Sequence, residues 1–360
     1  MGFFAQVCFL AVPGKGAIFP LQPLLAKLDF RVMVRRMRWI VLFLLGCGSA
    51  MLQAQEGADR GADAQVPKDQ NTILQLQIFL DKHLFGPGKL DGAVGEFTYK
   101  AVVNYNFASG YSELYDWTPA LKAAAKEVPV VFAAFKIRSD LAKFVNPKLP
   151  EKPEEQVKYD YMAYRSYAEL VAERFHTDEG FLAKCNPELN MAQLQPGDVV
   201  VVPNVRSFRI EDVKPVQSFA KDPALSTHTI VVDTTERMAA VYTSDEKLLA
   251  AFPITPGKPE FIPVGTWSVK TMMTTPSFRY DKQFLEEGVR GKEAYQLPPG
   301  PNSPVGIIWC GLSKSGIGLH GTALPRTIGR SRSAGCVRLA NWDAIRLPQL
   351  VRPSSPVIVR

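Results

Sequence analysis

From Thr72 onward apolar positions recur three and four apart: Ile73, Leu74, Leu76, Ile78, Phe79 and Leu80, then Thr98, Ala101, Val102 and Val103 after the run Gly86 to Gly92. That spacing predicts a helix, a tight turn and a second helix. Residues 111 to 160, with Trp117 and prolines at 119, 147, 150 and 153, read as a connector carrying a helix. A further amphipathic helix is predicted over Tyr167 to Phe175. Beyond Phe181-Leu182, Leu194-Gln195-Pro196-Gly197-Asp198 forms a turn that leads into the strand Val199 to Val202. From Thr227 the period shortens to that of strands. Thr229 to Asp233, Met238 to Tyr242, Leu248 to Ile254 and Gly265 to Lys270 predict a meander, with a short helix around Asp343 to Ile345 and a closing strand at Val357 to Val359.

At 360 residues, 46% hydrophobic and 21% charged, the chain has room for two or three globular domains. Its net charge of +7 suits an anionic partner. Outside the N-terminal leader, however, no Lys/Arg run with interleaved aromatics points to nucleic acid, so cell-wall polymer or a membrane surface fits better. The leader itself passes from Arg35-Arg36-Met37-Arg38 through the apolar stretch Trp39 to Leu45 to small residues, in the order of an export signal. That apolar run falls well short of the ~20 residues a membrane span requires. Met33 or Met37 sits where such a signal would normally start. Two fates are open: lipidation at Cys47, or plain cleavage after Ala50 or Ala54. Residues 55 to 69, rich in Gly, Ala, Asp and Gln, read as a linker.

The candidate chemistry lies in Ile317-Gly318-Leu319-His320-Gly321-Thr322 and Ser333-Ala334-Gly335-Cys336-Val337-Arg338-Leu339. A histidine and a cysteine 16 positions apart, flanked by glycines and accompanied by four arginines, suggest a thiol nucleophile with its base. Imidazole and positive charge together predict a thiolate of lowered pKa at Cys336. The amides of Gly335 and Cys336 could stabilise an oxyanion. Cys185 and Cys310 read as small apolar residues, and His83 and His176 as surface ones. The five cysteines contain no C-x-x-C pair, which argues against a metal site or a disulfide framework.

H-G-T, a proline, I-G and S-x-G-C-x-R-L in this order, with Leu297-Pro298-Pro299-Gly300-Pro301-Asn302-Ser303-Pro304-Val305-Gly306 upstream, resembles the signature of L,D-transpeptidases of the YkuD type. The resemblance implies a β-rich, sandwich-like catalytic domain over 227–360. In it Cys336 would be the nucleophile, His320 the base and the Gly321 carbonyl the group that orients the imidazole. Ser333, Gly335, Arg338 and Ala334 would shape the pocket, with Ala334 standing where many relatives have histidine. No cofactor or metal is implied.

The order L-Q-x-x-L, P-G-x-x-D-G, T-x-x-A-V over 70–125 resembles a peptidoglycan-binding three-helix module, the alternative being an ordinary helical hairpin. Residues 161–205, after a connector over 126–160, resemble a lysin motif that lacks its first strand, the alternative being a packing domain. Residues 206–226 read as a second linker. The whole is then expected to be multidomain: an export signal over 1–54, a linker, a small helical module, a small α+β module and the β-rich catalytic domain. The implied partners are peptidoglycan stems and glycan, an outer-membrane lipoprotein acceptor, and carbapenems as inhibitors. The implied setting is the periplasm or cell envelope, as a monomer. Because every motif residue follows Thr227, the upstream modules read as tethers whose removal would spare turnover of a soluble substrate.

Overall fold

The structure is a computed structural model that describes residues 66–258, 261–262, 264–330 and 335–360. The export signal, Cys8, Cys47, most of the 55–69 linker, Ser333 and Ala334 lie outside the described residues. Those that are described fall within one compact unit, 61–360.

Three helices come first: α1 (Gln70–Lys82), α2 (Glu96–Ala108) and α3 (Thr118–Glu127). Asp69 caps α1 by accepting from the Thr72 amide at 2.8 Å. The Asp91-Gly92 turn is anchored on α1, for Gln77 Oε1 accepts from the Asp91 and Gly92 amides at 3.0 and 2.9 Å. Gly92 has a φ of +65°, and a Cβ there would meet the Gln70 carbonyl at 2.7 Å.

Next come β1 (Phe132–Lys136), α4 (Pro153–Gln156), α5 (Tyr167–Arg174), α6 (Glu179–Cys185) and β2 (Val199–Pro203). β1 pairs antiparallel with β2, from Phe132 opposite Pro203 to Lys136 opposite Val199. A strand that pairs with the valine run is therefore present inside the segment expected to be a connector. In Phe-Ala-Ala-Phe-Lys the two phenylalanines favour a strand while the alanines and lysine do not, and pairing with the valine run decides the outcome. His176 also departs from expectation. It is buried, its ring stacks on Trp342 at 5.4 Å, and its Nδ1 lies 3.1 Å from Asp81, which pairs with Arg346 at 2.7 Å. Partners distant in sequence stabilise a ring that local polarity had assigned to the surface.

The remaining elements are β3 (Thr229–Asp233), β4 (Met238–Tyr242), β5 (Leu248–Pro253), β6 (Gly265–Thr274), β7 (Phe278–Tyr280), α7 (Lys282–Glu287), β8 (Tyr295–Leu297), β9 (Ile308–Leu312), β10 (Gly318–His320), β11 (Val337–Arg338), α8 (Asn341–Ala344), α9 (Leu347–Leu350) and β12 (Pro356–Val359). Eight of these strands form one sheet in the order β11-β10-β9-β6-β12-β3-β4-β5. Gly265 to Ser268 of β6 pair with β12 and Val269 to Thr274 run beside β9, whose ladder shifts register between Val269 and Thr271. The sheet curls about this bulge. As a result Ile230, Val232 and Phe252 from one half share a core with Ile308, Cys310 and Leu319 from the other.

Two upstream segments extend this sheet. The expected 206–226 linker lies along β6: Gln217 donates to Thr274 Oγ1 at 2.8 Å and Phe219 to the Met272 carbonyl at 3.0 Å. After α1, Gly86 donates to the Ala251 carbonyl and the Ala251 amide to Leu84, which lays a short parallel bridge along β5.

Candidate active site

Strand pairing closes the gap of 16 residues between the motif halves. In β10, Leu319 faces Cys310 and Val337 on its two neighbours, and all three side chains enter the core. His320 is opposite Trp309 on one side and Arg338 on the other, so these three line the opposite face. The indole of Trp309 stacks on the His320 ring at 5.8 Å with 20° between planes. Cys336 immediately precedes β11, beside Gly318, whose backbone hydrogen-bonds the sulfur. Its Sγ also lies 3.6 Å from the Gly316 carbonyl. A side chain at 318 would strike the Trp309 ring at 3.0 Å, which is why glycine stands between the thiol and the indole.

His320 is 4% exposed, and its Nδ1 lies 2.6 Å from the Gly321 carbonyl. A carbonyl only accepts, so Nδ1 carries the proton and Nε2 keeps its lone pair. Burial pushes the imidazole down to about 4, opposed by the Gly321 bond and reinforced by the Arg338 charge. Burial likewise pushes the Cys336 thiol up to about 11, against the Gly318 bond and Arg338, although one side of the residue stays open to solvent. Near neutrality the pair therefore rests as thiol and neutral imidazole. This departs from the expected low-pKa thiolate, because desolvation outweighs Arg338, the one guanidinium beside the thiol among the described residues. The guanidinium of Arg338 is itself pushed down by burial, with Cys336 opposing.

Gly335 has a φ of +127°, and a Cβ on Gly257 would stand 2.5 Å from its Cα, so the thiol's flank rests on glycine against glycine. Thr255 and Arg338 exchange backbone hydrogen bonds at 2.9 and 3.0 Å. The hydroxyl of Thr255 also accepts from the Gly329 amide at 2.9 Å, which ties down the loop between the motif halves. The same loop is clamped from outside: Arg237 donates to the Gly329 carbonyl at 2.6 Å and pairs with Glu96 of α2, and Phe97 packs onto Gly329.

Sequence reasoning missed Trp309, Thr255, Asn341 and Phe97. Strand alternation could have placed Trp309 once the pairing was known, and the other three answer only to tertiary packing. Ser333 and Ala334, expected in the pocket wall, lie outside the described residues. Among the described residues no group of three or more His, Cys, Asp or Glu side chains could hold a metal ion.

Residues 227–359 match the YkuD family, described as the L,D-transpeptidase catalytic domain. The chain is 27% identical over 184 residues to a putative L,D-transpeptidase YkuD of Bacillus licheniformis, covering 51% of this chain and 87% of that protein. It is 41% identical over 59 residues to the Bacillus subtilis counterpart, covering 16% of this chain and 36% of that protein. Among solved structures, an L,D-transpeptidase from Mycobacterium smegmatis is similar at 17% identity and a TM-score of 0.31, over 47% of this chain and 76% of that one. The segment 227–359, which holds every strand of the eight-stranded sheet, is an L,D-transpeptidase catalytic domain of the YkuD type.

Proposed function

We propose that this protein is an exported, cysteine-dependent L,D-transpeptidase that acts on peptidoglycan tetrapeptide stems in the periplasm or cell envelope. The observation that carries the reading is the pairing of His320 with Arg338 and of Leu319 with Val337, which sets Cys336 beside Gly318 on the face where His320 keeps Nε2 free to accept a proton. Sγ attacks the carbonyl that precedes the terminal D-Ala as its proton passes to His320 Nε2. The amides of Gly335 and Cys336 face the developing oxyanion, and His320 then protonates the departing D-Ala amine. A thioester on Cys336 remains. A second stem's amine attacks it, gives its proton to Nε2 and leaves a 3-3 cross-link, and the thiol is restored. A neutral thiol and imidazole serve this sequence, because the proton moves only when a carbonyl is present to receive the sulfur. A lipoprotein amine could replace the stem, and the upstream modules would hold the glycan. A carbapenem, with its strained lactam carbonyl, should acylate the same sulfur.

The test is mass spectrometry of muropeptides after incubation with the purified protein, alongside Cys336→Ala. Cross-linked dimers in excess over free tripeptide, absent with the variant, support the transferase. Tripeptide alone with abundant acceptor would make it an L,D-carboxypeptidase, and no D-Ala release with no carbapenem adduct would make it an inactive wall-binding protein.

A further inference from the structure

Gly321, which gives His320 its acceptor, is backed by a side chain that the motif does not include. Asn341, fully buried at the start of α8, presents Oδ1 to the Ile307 amide at 3.2 Å. A Cβ on either Gly321 or Gly306 would lie 2.1 Å from that oxygen, so the amide is wedged between two glycine backbones. The other end of Asn341 faces α5: Nδ2 donates to Glu173 Oε1 at 3.0 Å and to the Pro301 carbonyl at 3.3 Å. Tyr164 donates its hydroxyl to the same Glu173 oxygen at 2.8 Å.

We propose that Glu173, upstream of the family-matched segment, is a positioning residue for His320, acting through Asn341 and the Gly321 backbone. The inference rests on the reading of His320 as base. Glu173 is 5% exposed, and among the described residues no cation pairs with it. What it supplies is an acceptor that fixes which way the Asn341 amide points. Were the amide to turn over, Nδ2 would confront the Ile307 N–H, donor against donor, and the wedge behind Gly321 would loosen. The Gly321 peptide could then rotate, and Nδ1 of His320 would lose the carbonyl that commits its proton. Tyr161 and Glu169 also face the Glu173 carboxyl, and neither brings positive charge.

The experiment compares full-length wild type with Glu173→Met, which keeps volume without an acceptor, and Glu173→Gln, which keeps Oε1. With soluble tetrapeptide, E173M is expected to lose about tenfold or more in kcat at unchanged KM, on the scale of a slightly misplaced catalytic group, and E173Q to stay within about threefold of wild type on the same scale. In protein labelled with ¹⁵N-histidine, His320 should be the Nδ1–H tautomer in wild type and E173Q, and a mixture of tautomers in E173M. If E173M does not fold, Asn341→Asp, which loses the donor to Glu173, is expected to give the same loss and the same mixing. Unchanged kcat and tautomer in E173M, or equal losses in E173M and E173Q, would overturn the proposal. His320→Ala with full turnover would instead remove the catalytic reading, and the tautomer comparison would still decide the role of Glu173.

Discussion

Replacing Glu173 by glutamine should change how the stability of this protein responds to pH. Burial pushes the Glu173 carboxyl from an ordinary 4.5 up to about 8, against the bonds from Tyr164 and Asn341, and Glu169 on the same helix adds to the rise. The native state therefore holds its proton more tightly than the unfolded chain. Below about 4.5 both states are protonated and nothing is lost. As pH rises from there to about 8 the unfolded chain ionises while the native state does not, so native stability falls by about 1.4 kcal/mol per pH unit. The full decline is on the order of 4 to 5 kcal/mol and is complete once pH passes the folded value. Glutamine cannot ionise, so the E173Q variant escapes the decline. Its Tm relative to wild type should rise between pH 5 and 8.5, by on the order of 10 °C if one kcal/mol shifts Tm by a few degrees in a domain of this size. Thermal unfolding of both proteins in parallel buffers measures this. Other buried groups, such as Asp343, pushed up to about 7, cancel in the difference. A difference in Tm that stays flat across this range, or narrows as pH rises, would refute the argument.

The pH profile of Cys336 alkylation in the resting enzyme should show no plateau below pH 7 and should climb only towards about 11, while Cys310, pushed up to about 12, stays inert in the folded state. A rapid plateau near pH 6 would restore the thiolate. Deleting residues 70–205 should abolish turnover even of a soluble tetrapeptide, since Glu96 and Phe97 clamp the catalytic loop and Glu173 backs the base. Full activity in a folded truncation would return these modules to the role of tethers. Phe97→Ala, which uncovers Gly329, should lower kcat several-fold and stability by about 1 to 3 kcal/mol, read by steady-state kinetics and urea unfolding. A variant with wild-type kinetics would show that the clamp at Gly329 is dispensable.

What the sequence conveyed was local. Apolar runs such as Thr229 to Asp233 and Met238 to Tyr242 carried their strands in their own period, and the glycine-bounded His320 and Cys336 stood out because core packing has no use for such neighbours. What it hid was relational. Phe132 to Lys136 is a strand because the strand Val199 to Pro203 offers it an edge to pair with, in a register that five residues mixing strand-favouring phenylalanines with alanine and lysine do not announce. His176 and Asp81 lie 95 positions apart, and neither signals the other. The state of the thiol was misjudged for a related reason. Counting arginines along the chain says nothing of how densely the fold packs around the sulfur, and that packing raises the pKa more than Arg338 lowers it.

The bridge between Leu84–Gly86 and Ala251 has a consequence for how this chain can be taken apart. β5 is the last strand of its sheet, and Leu-Leu-Ala-Ala-Phe-Pro is an apolar, uncharged edge. Left bare, its backbone groups would invite a strand from another molecule, the usual route by which sheet edges aggregate. The turn after α1 occupies that edge with two backbone hydrogen bonds, and the buried Asp81–Arg346 pair pins the turn in place. The helical module thus keeps the sheet from pairing with another copy. Moving this catalytic sheet into another protein would mean bringing the turn along or blunting β5 with charge.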